Sequence, residues 1–238
     1  MFPIRDSLQA RSAPVVTVLL IAANCLVYLG VAGLGPEADH LLASLAFVPR
    51  TFFGWRGSAL DPDRWIPVFT AMFLHANLLH LASNVWFLWI FGDNVEDRLG
   101  HGRYLLFYLL CGVVSFLVHG FSAPRSAIPA LGASGAISGV LGAYLILFPG
   151  ARVLTLIPIV IIPWFVEVPA LVFIGVWFLL QFLYGTQAAV AQPGVAWWAH
   201  IGGFIAGVVL CLVLRRPAPP PPPRRWVVQR PRGPWFPR

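Results

Sequence analysis

Residues 131–139 read LGASGAISG and open an apolar run, GVLGAYLILFPG. A hydroxyl at the start of an apolar helix has two uses. It can be a small packing residue where helices approach closely, or, beside a base, a nucleophile. Taken alone, Ser134 reads as packing. The possible base lies far downstream, in GVAWWAHIGGFIAGVVL, where His200 must find a partner inside an apolar segment. Gly203 and Gly207, three and seven positions later, share a helical face with His200. Gly135 and Gly139 make a GxxxG step, and Ser134, Ser138 and Gly142 a second ridge of small residues. Two such ridges pressed together would bring His200 within hydrogen-bond reach of Ser134. A serine beside a histidine is the arrangement that performs acyl transfer: the imidazole takes the hydroxyl proton during attack and returns it to the leaving amine.

A third polar set lies in HANLLHLASNVWFLWIFG. His80 and Asn84 are i and i+4 and share a face, and Asn84 lies about 13 Å along the axis from His75. By themselves these are interfacial histidines and an interhelical amide. At the depth of Ser134 they become donors for the oxyanion of a tetrahedral intermediate, with the Ser134 backbone N–H at its helix start. No intramembrane Asp or Glu is placed to orient His200, and Glu167 falls on the opposite side, so a Ser–His dyad is expected. Ser138 is the rival nucleophile, but it sits one turn deeper.

Those side chains need a scaffold, and composition defines its class. Of the 238 residues 58% are hydrophobic and 11% charged, with mean hydropathy +0.78. Soluble chains are roughly 25% charged, so this is an all-α polytopic membrane protein. Six apolar segments can be drawn, at 14–35, 73–92, 103–122, 133–149, 168–186 and 195–214. The first is too long for a signal-peptide core and reads as a retained helix. The aromatic loop 36–72 is expected partly in the membrane interface. Residues 150–167, broken by Pro158 and Pro163, are expected as a re-entrant or interfacial hairpin. The domain reading is therefore an N-terminal cytoplasmic segment 1–13, a membrane domain 14–214 and a tail 215–238. The tail, RRPAPPPPPRRWVVQRPRGPWFPR, has no helical or strand period and is expected to be disordered or polyproline-like.

All 16 basic residues are Arg. With the N terminus inside, 12 of them fall in inner segments and 4 in outer loops, which favours N-in, C-in with the polar sets toward the outer side. The tail carries much of the +7 charge, and nothing points to nucleic acid. Cys25, Cys111 and Cys211 lie in apolar runs without metal or disulfide spacing.

Together these residues resemble the rhomboid family of intramembrane serine proteases, over roughly residues 60–215. Gly132-Ala133-Ser134-Gly135 matches the family's GxSG, and Ala199-His200 with Gly203 and Gly207 matches its AHxxGxxxG helix. His80 and Asn84 match HxxxN, His75 the second histidine of that helix, and Glu96 with Arg98 the structural ExR pattern. The resemblance implies a six-transmembrane-helix bundle in a bacterial plasma membrane, Ser134 as nucleophile and His200 as base. It also implies an oxyanion site near His80 and Asn84, a water-filled cavity open to the outer side, and neither metal nor other cofactor. The implied partners are transmembrane protein substrates and the lipid bilayer, with no obligatory protein partner. Two departures stand out. The family's Trp-Arg pair of the first loop is replaced by Arg64 before Trp65, with Ile66 after it. The position four after the nucleophile, often aromatic and stacked on the histidine, is Ser138, which leaves Trp197 or Trp198 to hold the imidazole.

Three other readings compete: a catalytically weak or inactive relative that binds membrane clients, a transporter, and a haem protein. An ion path should cross the membrane, but the polar groups cluster in one half. His75 and His80, five apart on one helix, cannot reach both faces of one haem.

Overall fold

A computed structural model describes residues 1–159, 162–186 and 196–215; the Pro/Arg-rich tail beyond Arg215 lies outside them. In chain order the elements are strand β1 (Phe2–Asp6) and helices α1 (Val15–Ala32), α2 (Ala38–Leu45), α3 (Pro49–Phe53), α4 (Pro62–Thr70), α5 (Leu78–Leu99), α6 (His101–Ser122) and α7 (Ser134–Leu147). They are followed by strands β2 (Arg152–Ile159) and β3 (Ile162–Pro169) and helices α8 (Ala170–Thr186) and α9 (Trp197–Leu214). The chain is mostly helical. Helices α1, α6 and α9 are long and apolar enough to cross a membrane, and α4 with its 3₁₀ extension and α5, a pair bent by 81°, would make a fourth span. Helices α7 and α8 are apolar but shorter, at 14 and 17 residues.

The loop expected at 36–72 holds three short helices that pack as a clasp. Phe47, Phe52, Val68, Ala71 and Met72 form a small core with Phe116 of α6 and Ala130. Burying these side chains fastens the loop to the segment that leads into Ser134. Phe47 and Ala130 exchange backbone hydrogen bonds of 3.0 and 2.8 Å, and the Gly132 N–H donates to the Ala71 carbonyl at 2.8 Å. The reversed Arg64–Trp65 pair belongs to the same clasp: the Arg64 guanidinium lies 4.4 Å above the Phe52 ring, and the Trp65 indole donates to the Ala59 carbonyl at 2.8 Å.

The hairpin expected at 150–167 is present, and it is built of strands. It is a β-hairpin in which Pro158 pairs with Pro163 near the turn, and β1 adds to it in the order β1-β2-β3. Helix is barred there because the prolines lack a donor and clash with the preceding turn, while Val, Ile, Thr and Phe suit a pleated surface. The bundle thus carries one small sheet. It is sewn on by Asp6, whose carboxylate accepts from the Tyr144 hydroxyl (2.6 Å) and the Asn94 amide (3.0 Å). Trp86 of α5 donates to the Pro3 carbonyl. Tyr144 is ten residues past Ser134, so the sheet sits about 15 Å from the serine along α7.

Glu96 makes a second fastening. Its side chain is wholly buried and accepts from the Val16 and Thr17 N–H groups and the Thr17 hydroxyl, at 2.7–2.8 Å. His101 Nδ1 lies on Oε1, the oxygen that also takes the Val16 N–H. A carboxylate on the free N–H groups of a helix start satisfies donors that the helix itself cannot, so Glu96 moors α1 to α5. Arg98, its partner in the ExR pattern, lies instead over the Phe148 ring, 5.8 Å from the centroid.

Candidate active site

Helices α7 and α9 meet through bare backbone. A Cβ built on Gly203 would fall 2.8 Å from the Gly135 carbonyl carbon, and one on Gly207 would fall 2.6 Å from that of Gly139. Neither distance is one that a real side chain can occupy, so the ridges approach as only glycines permit. On α6, Ser115 packs against Gly135 and Cys111 against Gly139.

This contact sets the register of the polar groups. Ser134 is the first residue of α7 and His200 the fourth of α9, and His200 Nε2 lies 2.8 Å from Ser134 Oγ. Both residues keep partial exposure. As the first residue of its helix, Ser134 has a backbone N–H with no intrahelical acceptor. Gly132 just before it has φ +121°, a conformation that L side chains rarely adopt. A Cβ there would also strike the His80 ring at 2.7 Å, so His80 from α5 lies directly against the loop that leads into Ser134.

The remaining residues of that set are distributed unequally. The Asn84 amide donates to the His80 carbonyl of its own helix at 3.1 Å. His75, before the start of α5, is buried, and its ring meets that of His80 edge-on at 5.0 Å. Ser138 is buried and its hydroxyl donates to the Ser134 carbonyl at 2.6 Å. It therefore faces its own helix backbone rather than His200. Of the two tryptophans expected to hold the imidazole, Trp197 stands edge-on to it at 6.2 Å, whereas Trp198 packs toward Gly185. Trp177 of α8 lies nearer, at 6.1 Å.

Reading the sequence for acids missed one residue. Gln181 of α8 is 8% exposed, and its Oε1 lies 2.7 Å from His200 Nδ1. The available signal was a lone amide in ALVFIGVWFLLQFLYGT, since a polar group in such a helix needs a specific partner. Glu167, by contrast, pairs with Arg152 across the β2–β3 hairpin. Among the described residues no cluster of His, Cys, Asp or Glu is arranged to hold a metal ion.

Comparison with known proteins agrees with this architecture. The Rhomboid domain family matches residues 62–217. Rhomboid protease GluP of Bacillus subtilis is 34% identical over 134 residues, covering 56% of this chain and 24% of the relative. Rhomboid-type serine protease 2 of Emericella nidulans is 30% identical over 167 residues (68% of this chain, 30% of the relative). The mitochondrial Rhomboid protein 1 of Saccharomyces cerevisiae is 29% identical over 180 residues (72% and 47%). The chain therefore spans less than half the length of these relatives. It belongs to the rhomboid family and is an integral membrane protein.

Proposed function

We propose that the chain is an intramembrane serine endopeptidase that cleaves peptide bonds in or near the transmembrane segments of other membrane proteins. The observation that carries this reading is the 2.8 Å approach of His200 Nε2 to Ser134 Oγ at the start of a membrane helix. In the proposed reaction the Ser134 hydroxyl attacks the scissile carbonyl carbon as its proton passes to Nε2. The tetrahedral oxyanion takes the Ser134 N–H and the His80 ring as donors, with Asn84 and His75 in support. Collapse breaks the C–N bond, and His200 hands its proton to the leaving amine. Water then attacks the acyl-enzyme with His200 again as base, releasing the acid and restoring Ser134.

In this reading α1, α5, α6, α7, α8 and α9 are six spans with both termini inside, and Ser134 lies toward the outer side of a bacterial plasma membrane. A helical substrate hides its peptide bonds in i→i−4 hydrogen bonds, so Gly or Pro near the outer end of its span should favour cleavage. The test is cleavage of a single-span substrate in liposomes, with chelator and without nucleotide. Wild type and Ser138→Ala should cut, and Ser134→Ala and His200→Ala should not. A wild type inert on every substrate would favour a client-binding relative; cleavage by Ser134→Ala would refute the nucleophile.

A further inference from the structure

We infer that Gln181 is the positioning residue of the base, fixing the tautomer and ring plane of His200 so that Nε2 faces Ser134 with a free lone pair. This rests on the protease reading and deepens it, turning an expected dyad into a line of three groups from three helices: Ser134 on α7, His200 on α9 and Gln181 on α8.

The two ring nitrogens have different neighbours. Nε2 lies 2.8 Å from a hydroxyl, which can donate or accept, and so by itself does not decide the tautomer. Nδ1 lies 2.7 Å from the Gln181 carbonyl oxygen, which only accepts. The neutral ring must then carry its proton on Nδ1 and leave Nε2 bare, the state that a general base requires. With the amide reversed, its NH₂ would donate to Nδ1, the ring proton would sit on Nε2, and the base would be blocked. The end of the amide that faces the ring therefore decides whether the site can take a proton.

The amide is held in place by its helix. On α8, Trp177, Phe178, Gln181, Tyr184 and Gly185 recur at the three- and four-residue spacing of one face, and that face meets α9. Phe178 packs on Phe204 at 4.5 Å, Tyr184 on Trp197 at 5.1 Å, and Gly185 admits the Trp197 Cβ. Gln181 sits in the middle of this apolar seam, where an amide is costly unless bonded.

The experiment uses the full chain in liposomes, with Gln181→Leu, which removes the acceptor, and Gln181→Glu, which restores one. Two readouts are taken: kcat and KM on a single-span substrate, and the ¹⁵N spectrum of histidine-labelled protein, with His200 assigned by its loss in His200→Gln. Wild type should show a protonated Nδ1 and a bare Nε2. Gln181→Leu should lower kcat about 10²-fold with KM unchanged and lose the single tautomer, and Gln181→Glu should recover most of kcat. The inference is overturned if Gln181→Leu keeps both kcat and tautomer, if Gln181→Glu is as slow as Gln181→Leu, or if wild type carries its proton on Nε2. If wild type cuts nothing while the tautomer still depends on Gln181, the protease reading fails and the positioning role stands.

Discussion

The contact between α7 and α9 makes a sharp prediction for Gly203→Ala. The added methyl would lie 2.8 Å from the Gly135 carbonyl carbon and closer still to its oxygen. Both are backbone atoms, so no rotamer can relieve the clash. Reaching ordinary van der Waals contact requires the helices to part by about an ångström, and overpacking of this kind costs roughly 1–3 kcal/mol. Gly203 lies one turn below His200, so the 2.8 Å separation between Ser134 Oγ and His200 Nε2 would open beyond hydrogen-bond reach. A displacement of about 1 Å from catalytic geometry lowers rate about 10²-fold. The assay is the initial rate of substrate cleavage in liposomes, with the unfolding midpoint in detergent measured alongside. Gly175→Ala on α8 is the control, since its methyl would meet no atom within 4 Å and should leave the rate unchanged. If Gly203→Ala cuts at the wild-type rate, the claim that the glycine seam sets the Ser–His distance is wrong.

Two further outcomes follow from the fastenings. Glu96→Ala leaves two α1 N–H groups and the Thr17 hydroxyl without their acceptor, which should cost roughly 3 kcal/mol; a thermal midpoint equal to wild type would show that α1 is held otherwise. Burial first raises the Asp6 carboxyl above its ordinary value of 3.8, a shift that the Tyr144 hydrogen bond partly offsets. A group raised on folding favours the folded state below its unfolded value and loses that contribution as pH climbs through the folded value. Stability of wild type relative to Asp6→Asn should therefore decline from pH 3.8 upward, and a difference that grows with pH would overturn the assignment.

What the sequence made legible was spacing. A ridge of small residues announces itself because a helix repeats its face every three or four positions, and the Ser134 and His200 ridges could be aligned on that basis before any coordinates. The sheet could not be found that way. FPIRD is too short and too mixed to show a strand period, and its partner strand β2 is separated from it by well over a hundred residues. Glu96 was visible as part of a pattern but not as a cap for α1, since its partners lie about eighty residues upstream. Gln181 carries no charge to mark it within its apolar run, yet its amide supplies the acceptor that a carboxylate would.

Ser138 ties these points together. Where relatives often place an aromatic side chain against the histidine, this chain has a buried hydroxyl turned back onto the Ser134 carbonyl. A ring at that position would need space that α6 and α9 occupy: Cys111 lies against Gly139 and the Phe204 backbone against Gly142. Small residues therefore let α7 and α9 close down, and the same closeness removes the room for a stacking partner on α7. The imidazole then has to be steadied from another side, and α8 supplies both an indole at 6.1 Å and an acceptor at 2.7 Å. The His200 ring is thereby made to depend on the seat of α8, the helix whose apolar run is broken by a single amide. Replacing Ser138 with Tyr should not restore a stacked arrangement. It should wedge the seam and lower cleavage as Gly203→Ala does; full activity in that variant would mean the seam has slack that the backbone contacts do not reveal.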